Sequence, residues 1–235
     1  MKTRGMCLTL VCWATISALA QPAPSPTPHP IPVGNLIERR SPPFSKWTIT
    51  CMRSSTAAAI GLEEKKSTPQ AQKVVRRITF TRNKNILNEQ IINDKGERFE
   101  TWRIGNLQFT TFPGSTERVE IDPKDETDGQ SYSDLSKTDF PDFAWVTDQT
   151  YVDVQEVRGR ECIIFKTGDS ADSVVGCVDL RTRLPFLLQT RKETRLYEFD
   201  TSSQPTLTIP QDLQELLERR AKQLEQMARM PARPW

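Results

Sequence analysis

The side chains that most often carry catalysis are scarce in this sequence. Its 235 residues include one histidine, His29, which stands in a proline-rich stretch. A Ser-His-Asp triad, a Cys-His pair and a multi-histidine metal site all need histidine inside the folded domain. The sequence also lacks a G-x-S-x-G motif and a glycine loop that would cradle a phosphate. We therefore expect a protein that is not an enzyme and that uses neither a metal nor another cofactor.

Three cysteines remain once the predicted signal peptide is removed: Cys51, Cys162 and Cys177. Residues 161–166 and 173–180 have the pattern of two strands joined by a polar loop. A hairpin that pairs residue 166 with residue 173 places Cys162 opposite Cys177, where Cα atoms about 4.5 Å apart are within reach of a disulfide. We predict this bond. A bond from Cys51 to one of the two, or three buried free thiols, remain as alternatives.

Aromatic side chains are the best candidates for a binding surface. Most of them fall on predicted strands, where they either fill the core or line a cavity for an apolar ligand. An amphipathic helix packed over the concave face of a curved sheet would enclose such a cavity. The candidate cavity residues are Trp47, Phe80, Trp102, Phe109, Trp145, Phe165, Phe199, Leu213, Leu217 and Leu224.

The first 20 residues have the pattern of a secretory signal peptide. Lys2 and Arg4 precede an apolar run, and Ala18-Leu19-Ala20 forms an A-x-A cleavage signal. We expect an exported protein, located in the periplasm of a bacterium or outside the cell. The apolar run is too short to span a bilayer as a helix, and no later segment is long enough, so we do not expect an integral membrane protein.

Residues 21–43 form a proline-rich segment, predicted to be a disordered linker or a semi-rigid spacer. Eight of the 17 prolines fall in it, alternating with small residues that provide nothing to pack. Loss of Lys2 and Arg4 with the signal peptide leaves a mature chain whose basic and acidic residues are equal in number, 30 of each. This balance gives no reason to expect a nucleic-acid partner.

Residues 44–235 are predicted to form a single β-rich domain. The strands follow one another with short polar turns, such as Gly105-Asn106, which is typical of an antiparallel meander. The predicted strands cover residues 47–52, 74–82, 86–92, 99–104, 107–112, 119–121, 151–157, 161–166, 173–180 and 186–199.

The C-terminal region predicts an amphipathic helix over residues 210–229. Pro210 suits the first turn, and apolar residues recur at helical spacing from Leu213 onward. The predicted fold class is therefore mainly β with a C-terminal helix. We expect a strongly curved antiparallel sheet, an incomplete barrel, covered by the helix.

A strand with the pattern E-x-W, Glu100-Thr101-Trp102, is followed by the segment 139–145, by Gly159-Arg160-Glu161-Cys162-Ile163-Ile164-Phe165, and by a strand and turn at 178–185. The last two of these motifs resemble the LolA/LolB-like superfamily of outer-membrane lipoprotein carriers. The resemblance covers roughly residues 97–200 and implies an incomplete antiparallel barrel that shields acyl chains. The family usually begins with an amphipathic helix, whereas here a proline-rich segment comes first and the helix comes last.

These observations favour a non-enzymatic exported domain that binds a hydrophobic ligand between sheet and helix. Its ligand would be a lipid, an acyl chain or a lipoprotein. The alternative is a protein–protein interaction module of the envelope, presented on the proline-rich segment and without a small-molecule ligand.

Overall fold

The computed structural model describes residues 29–53, 73–105, 107–121, 138–168, 172–200 and 204–229. The described chain is mainly β, with a single C-terminal helix, which confirms the predicted fold class. The elements are β1 (Phe44–Arg53), β2 (Val74–Asn83), β3 (Ile86–Asn93), β4 (Arg98–Ile104), β5 (Leu107–Thr111), β6 (Arg118–Glu120), β7 (Tyr151–Val157), β8 (Arg160–Lys166), β9 (Val175–Asp179), β10 (Pro185–Gln189), β11 (Glu193–Asp200) and α1 (Gln211–Arg229).

All eleven strands belong to one antiparallel sheet, in the order β6-β5-β4-β3-β2-β1-β11-β10-β9-β8-β7. Consecutive strands are neighbours, as in a meander, within β1–β6 and within β7–β11. The two runs meet where the first strand, β1, pairs with the last, β11, so the consecutive strands β6 and β7 are not neighbours. Trp47 lies opposite Phe199 of β11 on one side and Phe80 of β2 on the other. Among the residues that the structure describes, the sheet is not closed, and β6 and β7 form its two edges.

The turn between β7 and β8 shows how the sequence specifies a tight hairpin. Arg158 and Gly159 both have positive φ, 52° and 76°. Two successive residues with positive φ are typical of a type I′ turn, whose twist matches that of the flanking strands. Glycine adopts this conformation without strain, so the predicted break between these two strands is found where it was expected.

The predicted single strand over residues 186–199 is wrong, because the structure divides it into β10 and β11. The turn contains no glycine or proline, which is why the sequence pattern did not reveal it. The Thr190 hydroxyl accepts the backbone N–H of Lys192 at 3.3 Å and of Glu193 at 3.0 Å. A threonine side chain thus provides the hydrogen bonds that reverse the chain.

Side chains alternate between two faces of the sheet. We call the face that carries Trp47, Phe80 and Phe199 the aromatic face, and it supports the largest core cluster. The register places Trp102 and Phe109 on the other side, which we call the opposite face. Helix α1 docks there through Leu213, which is fully buried. The expectation that the helix covers the same surface as Trp47 is therefore wrong.

A salt-bridge network fixes the start of α1 against the sheet. The Arg118 guanidinium of β6 lies 2.6 Å from Asp212 in the first helical turn and 3.0 Å from Glu100 of β4. An acidic residue in the first turn also complements the helix dipole. Among the described residues, no helix is both long and apolar enough to cross a membrane.

The predicted disulfide between Cys162 and Cys177 is not formed. The observed register pairs Ile164 with Cys177, and Cys162 with Asp179, a shift of two residues from the predicted hairpin. The shift arises because β9 begins at Val175 rather than at residue 173. Both thiols are free and fully buried, and burial raises the pKa of each to about 12. Cys51 is also a buried free thiol.

Candidate functional site

The aromatic face is densest where β1, β2 and β11 run side by side. Trp47 is 1% exposed and stacks on Phe80, with ring centroids 4.8 Å apart and planes 11° from parallel. On its other side the Phe199 ring is 5.9 Å away. Stacked aromatic rings on three neighbouring strands form a continuous apolar surface.

A segment without strand or α-helix lies on this surface. We call residues 138–150 the cover segment; it contains two short 3-10 turns, Pro141–Phe143 and Asp148–Thr150. Its Phe140 ring meets Trp47 edge-on at 6.0 Å, and its Phe143 ring meets Tyr197 edge-on at 5.5 Å. Both phenylalanines are almost fully buried. The apolar surface of the sheet is therefore covered by the chain itself.

Gly176 of β9 allows the cover segment to approach the sheet closely. A Cβ atom at this position would lie 3.1 Å from a ring carbon of Phe143 and 3.1 Å from a ring carbon of Trp145. These distances are shorter than ordinary van der Waals contact. A side chain here would require the two rings to move, so glycine is needed for the observed packing.

Asp139 is the first of two polar anchors of the cover segment. Its carboxylate accepts the backbone N–H of Ser41 at 2.7 Å and the Ser41 hydroxyl at 2.9 Å. It also forms a salt bridge with Arg82 of β2, and its side chain is only 4% exposed. A buried carboxylate needs such partners because desolvation otherwise disfavours its charged form.

Asp142 is the second anchor. One carboxylate oxygen lies 2.6 Å from Nη1 of Arg195, and the other accepts the Tyr197 hydroxyl at 2.7 Å. Burial, followed by the Asp142 carboxylate, raises the pKa of Tyr197 well above its usual value, so the hydroxyl stays protonated and donates. Burial by itself lowers the pKa of Arg195, but Asp142 and Glu193 outweigh burial and raise it.

Residues 29–43, here called the strap, hold the cover segment from the outside. Arg39 donates to the carbonyl oxygens of Phe143 at 3.0 Å and of Val146 at 3.2 Å. Ile37 is 6% exposed and belongs to the main core cluster. These contacts differ from the prediction that residues 21–43 form a disordered linker that packs against nothing. Residues 21–28 lie outside the described part of the chain.

The first residue of the strap is fixed to the edge strand β7. Asp153 accepts the backbone N–H of His29 at 2.9 Å and lies 2.8 Å from its ring Nδ1. These two hydrogen bonds, with a smaller contribution from the backbone of Val154, lower the pKa of Asp153 to about 2. The single histidine of the sequence thus acts in attachment of the strap.

The candidate cavity residues do not line one cavity. Trp47, Phe80 and Phe165 belong to the cluster on the aromatic face, and Trp145 and Phe199 pack against it. Trp102, Phe109 and Leu213 form a separate cluster on the opposite face, which Leu217 joins as a half-buried residue. The side chain of Leu224 lies outside the described part.

Two clefts in the described part of the chain are open to solvent. The first, of ≈ 430 Å³, is lined by residues 46–48, by Arg77 and by residues 198–200. The second, of ≈ 460 Å³, lies between residues 34–40 of the strap and residues 146–148 of the cover segment. Of the candidate residues, these clefts include Trp47 and Phe199 alone.

Sequence reasoning missed the residues that hold the cover segment in place. Asp139 and Asp142 stand in the segment 139–145 that the sequence analysis singled out, but nothing in the sequence shows that they reach Arg82 and Arg195. A partial signal was present in β11, where Arg195, Tyr197 and Phe199 occupy every second position. In a strand, this alternation places a cation on the same face as the aromatic rings.

Comparison with known proteins gives a weak likeness of fold. No protein-family model matches this chain, and no curated protein matches it either. Among solved structures, a LolA superfamily protein from Nitrosomonas europaea superposes with a TM-score of 0.31 and 9% sequence identity, over 74% of this chain and 91% of that one. At these values the match is one of general fold.

Proposed function

We propose that this chain is an exported, non-enzymatic domain that binds a hydrophobic ligand on its aromatic face. The ligand would be a lipid, an acyl chain or the acyl chains of a lipoprotein. The observation that carries the proposal is the nature of the cover segment. It buries Phe140 and Phe143 on the sheet, yet it pairs with no strand and is attached to the sheet through side chains alone. Its one backbone–backbone hydrogen bond to the strap runs from the Asp139 N–H to the Arg39 carbonyl oxygen, at 2.9 Å. Such a segment can leave without breaking the sheet.

Burial of a lipid's acyl chain can offset the free energy that is lost when the cover segment leaves the sheet. Burial of a phenylalanine side chain stabilises by about 1.5–3 kcal/mol, so release of Phe140 and Phe143 costs about 3–6 kcal/mol. Each buried methylene of a ligand returns about 0.8 kcal/mol, so about four to eight methylenes offset this loss. A long acyl chain has more than that, and the remainder is available to break the polar anchors.

The polar groups near the aromatic face support a role in binding rather than in catalysis. Asp139 is paired with Arg82, and Asp142 with Arg195 and Tyr197. Each acid thus holds the cover segment to the sheet or to the strap. In this proposal their role is to open and close a binding surface.

Quenching by a brominated fatty acid tests the proposal and locates the ligand. We expect saturable quenching of tryptophan fluorescence, because bromine atoms on the aromatic face would lie close to Trp47 and Trp145. The variant Trp47→Phe should lose much of the quenching. The matched variant Trp102→Phe, changed on the opposite face, should keep it. The proposal fails if quenching does not saturate, or if the two variants lose it equally.

A second candidate function is a protein–protein interaction module of the envelope. Two exposed apolar residues favour it: Val119 of the edge strand β6 is 46% exposed, and Phe112, directly after β5, is 47% exposed. Exposed apolar groups at an unpaired strand edge can accept another chain. Pull-down from envelope extract should then recover one partner with the wild-type protein and lose it with Phe112→Ser. Equal recovery with both proteins would count against this function.

A further inference from the structure

The aromatic face ends in a cation. In β11, the residues Arg195, Tyr197 and Phe199 alternate onto the same face, and they lie opposite Cys51, Ile49 and Trp47 of β1. Arg195 therefore stands at one end of the row of apolar side chains that the cover segment hides. A surface with an apolar tract and a cation at one end is complementary to an anionic amphiphile, whose chain is apolar and whose headgroup is negative.

The cover segment supplies the anion that this cation needs. The Asp142 carboxylate bridges Arg195 at 2.6 Å and the Tyr197 hydroxyl at 2.7 Å. It thus occupies the position that a ligand's carboxylate or phosphate oxygens would take. Asp142 is followed directly by Phe143, whose ring packs on the Tyr197 ring. An anion that replaced Asp142 would also loosen the apolar contact next to it.

The exposure of the two anchors indicates which of them a ligand can replace. The Asp139 side chain is 4% exposed and has partners on the strap as well as on β2. The Asp142 side chain is 24% exposed, and its partner Arg195 is 26% exposed. Solvent, and therefore a dissolved headgroup, reaches the second pair but hardly the first.

Displacement of the cover segment by a neutral ligand would leave charge uncompensated. Arg195 would keep Glu193, 2.5 Å from its Nε, but Glu193 also lies 3.6 Å from Arg76. Two arginines would then share one carboxylate, and the Tyr197 hydroxyl would lose its acceptor. Leaving partly buried donors and cations without partners is unfavourable. A ligand that carries its own anion avoids this penalty.

We infer that the ligand is an anionic amphiphile whose headgroup replaces the Asp142 carboxylate between Arg195 and Tyr197. The inference rests on the proposed function, since it assigns the headgroup of a ligand whose chain lies on the aromatic face. The chemistry recognised is that of an oxyanion, a carboxylate or a phosphate, attached to an acyl chain. A free anion lacks the chain that must cover the apolar surface.

Three probes separate headgroup from chain: palmitoyl lysophosphatidic acid, monopalmitoylglycerol and glycerol phosphate. The first two share one acyl chain and differ in the phosphate, whereas the third has the phosphate alone. Each would compete with the brominated fatty acid for the full mature chain, below the critical micelle concentrations of the lipids. We expect the phosphate-bearing lipid to compete about tenfold better than the neutral one, the size expected for a hydrogen bond to a charged group. Glycerol phosphate should not compete.

Variants assign this preference to Arg195. Asp142→Asn removes the competing carboxylate and should tighten binding of the anionic lipid. Adding Arg195→Gln should abolish the preference for the anionic over the neutral lipid. The double variant leaves no unpaired charge from this pair and so keeps the folded state accessible. Arg77→Gln is the matched control, because Arg77 lies on the opposite face, and it should keep the wild-type preference.

The outcomes distinguish a failure of the anion site from a failure of the proposed function. Equal binding of both lipids, unchanged by Arg195→Gln, would overturn the anion site while the proposed function stands. A preference that survives in the double variant, or competition by glycerol phosphate, would also overturn the site. Failure of both lipids and of the fatty acid would overturn the proposed function and the site with it. An anionic preference that disappears only with Arg195 supports the inference.

Discussion

Asp139 offers the sharpest test of how the cover segment is held. Its carboxylate accepts two hydrogen bonds from Ser41 and pairs with Arg82, whose side chain is 15% exposed. Asp139→Asn keeps the shape of the side chain but removes its charge and leaves Arg82 unpaired. Removing one partner of a buried ion pair costs about 3–5 kcal/mol. Because the amide oxygen still accepts one of the hydrogen bonds, we expect the lower end, about 3 kcal/mol.

The expected effect is large enough to measure by thermal unfolding. In a domain of this size, 1 kcal/mol shifts the melting temperature by about 2–4 °C, so Asp139→Asn should lower it by about 6–12 °C. Arg82→Met should have a smaller effect, because Nη1 of Arg40 lies 3.4 Å from the other oxygen of the Asp139 carboxylate and still pairs with it. The double variant should cost at least about 1 kcal/mol less than the sum of the two, since each single change already breaks the pair.

Urea denaturation followed by tryptophan fluorescence provides the free energies for this double-mutant cycle. Asp148→Asn is the matched control, because Asp148 is an exposed acid of the same segment, and its effect should stay within about 0.5 kcal/mol. If the two single changes add to within about 0.5 kcal/mol, the pair is not coupled and the argument that Asp139 anchors the cover segment is wrong.

Four further predictions follow from individual contacts. Leu213→Ala should lower the free energy of unfolding by about 2–5 kcal/mol, measured by urea denaturation. The same substitution at its exposed neighbour, Gln214→Ala, should have a much smaller effect. A reductant should leave the melting temperature unchanged, because the thiols of β8 and β9 are free. A lower melting temperature in reductant would show that a disulfide is present after all. Gly176→Ala should push the cover segment away, seen as a red shift of tryptophan emission and tighter fatty-acid binding; unchanged emission would contradict the close contact. The depressed pKa of Asp153 means that its carboxylate stabilises attachment of the strap above the ordinary value of 3.8 and loses this effect as the pH falls toward about 2. The protection of backbone amides near His29 against hydrogen exchange, relative to the intrinsic rate at each pH, should therefore fall over that range, and unchanged protection would contradict the prediction.

The position of the cover segment gives these predictions a common basis. The aromatic face, the two aspartate anchors and Gly176 all concern the same thirteen-residue stretch, 138–150. Changes at the anchors or at Gly176 should therefore alter both stability and ligand affinity. Changes in the cluster around Leu213 should alter stability alone, because that cluster lies on the other side of the sheet.

Local patterns in the sequence were sufficient for most of the strands and for the helix. Alternation of apolar and polar residues located β2, and Pro210 with the repeat of leucines located α1, because both patterns reflect burial within one element. The same reasoning failed at Thr190, where a side-chain hydroxyl makes the turn. It also failed for the register of β8 and β9, since a shift of two residues keeps every side chain on the same face and leaves the pattern unchanged.

The sequence by itself determined that this is a β-rich chain with a C-terminal amphipathic helix and with aromatic residues on its strands. Only the tertiary structure decided which aromatic residues share a face, that the helix docks behind them, and that residues 138–150 cover them. The physical reason is sequence distance. Asp142 and Arg195 are neighbours in space but 53 positions apart in the chain, and contacts of this kind depend on strand order and register. A single sequence contains both residues of such a contact but does not show that they are close in space.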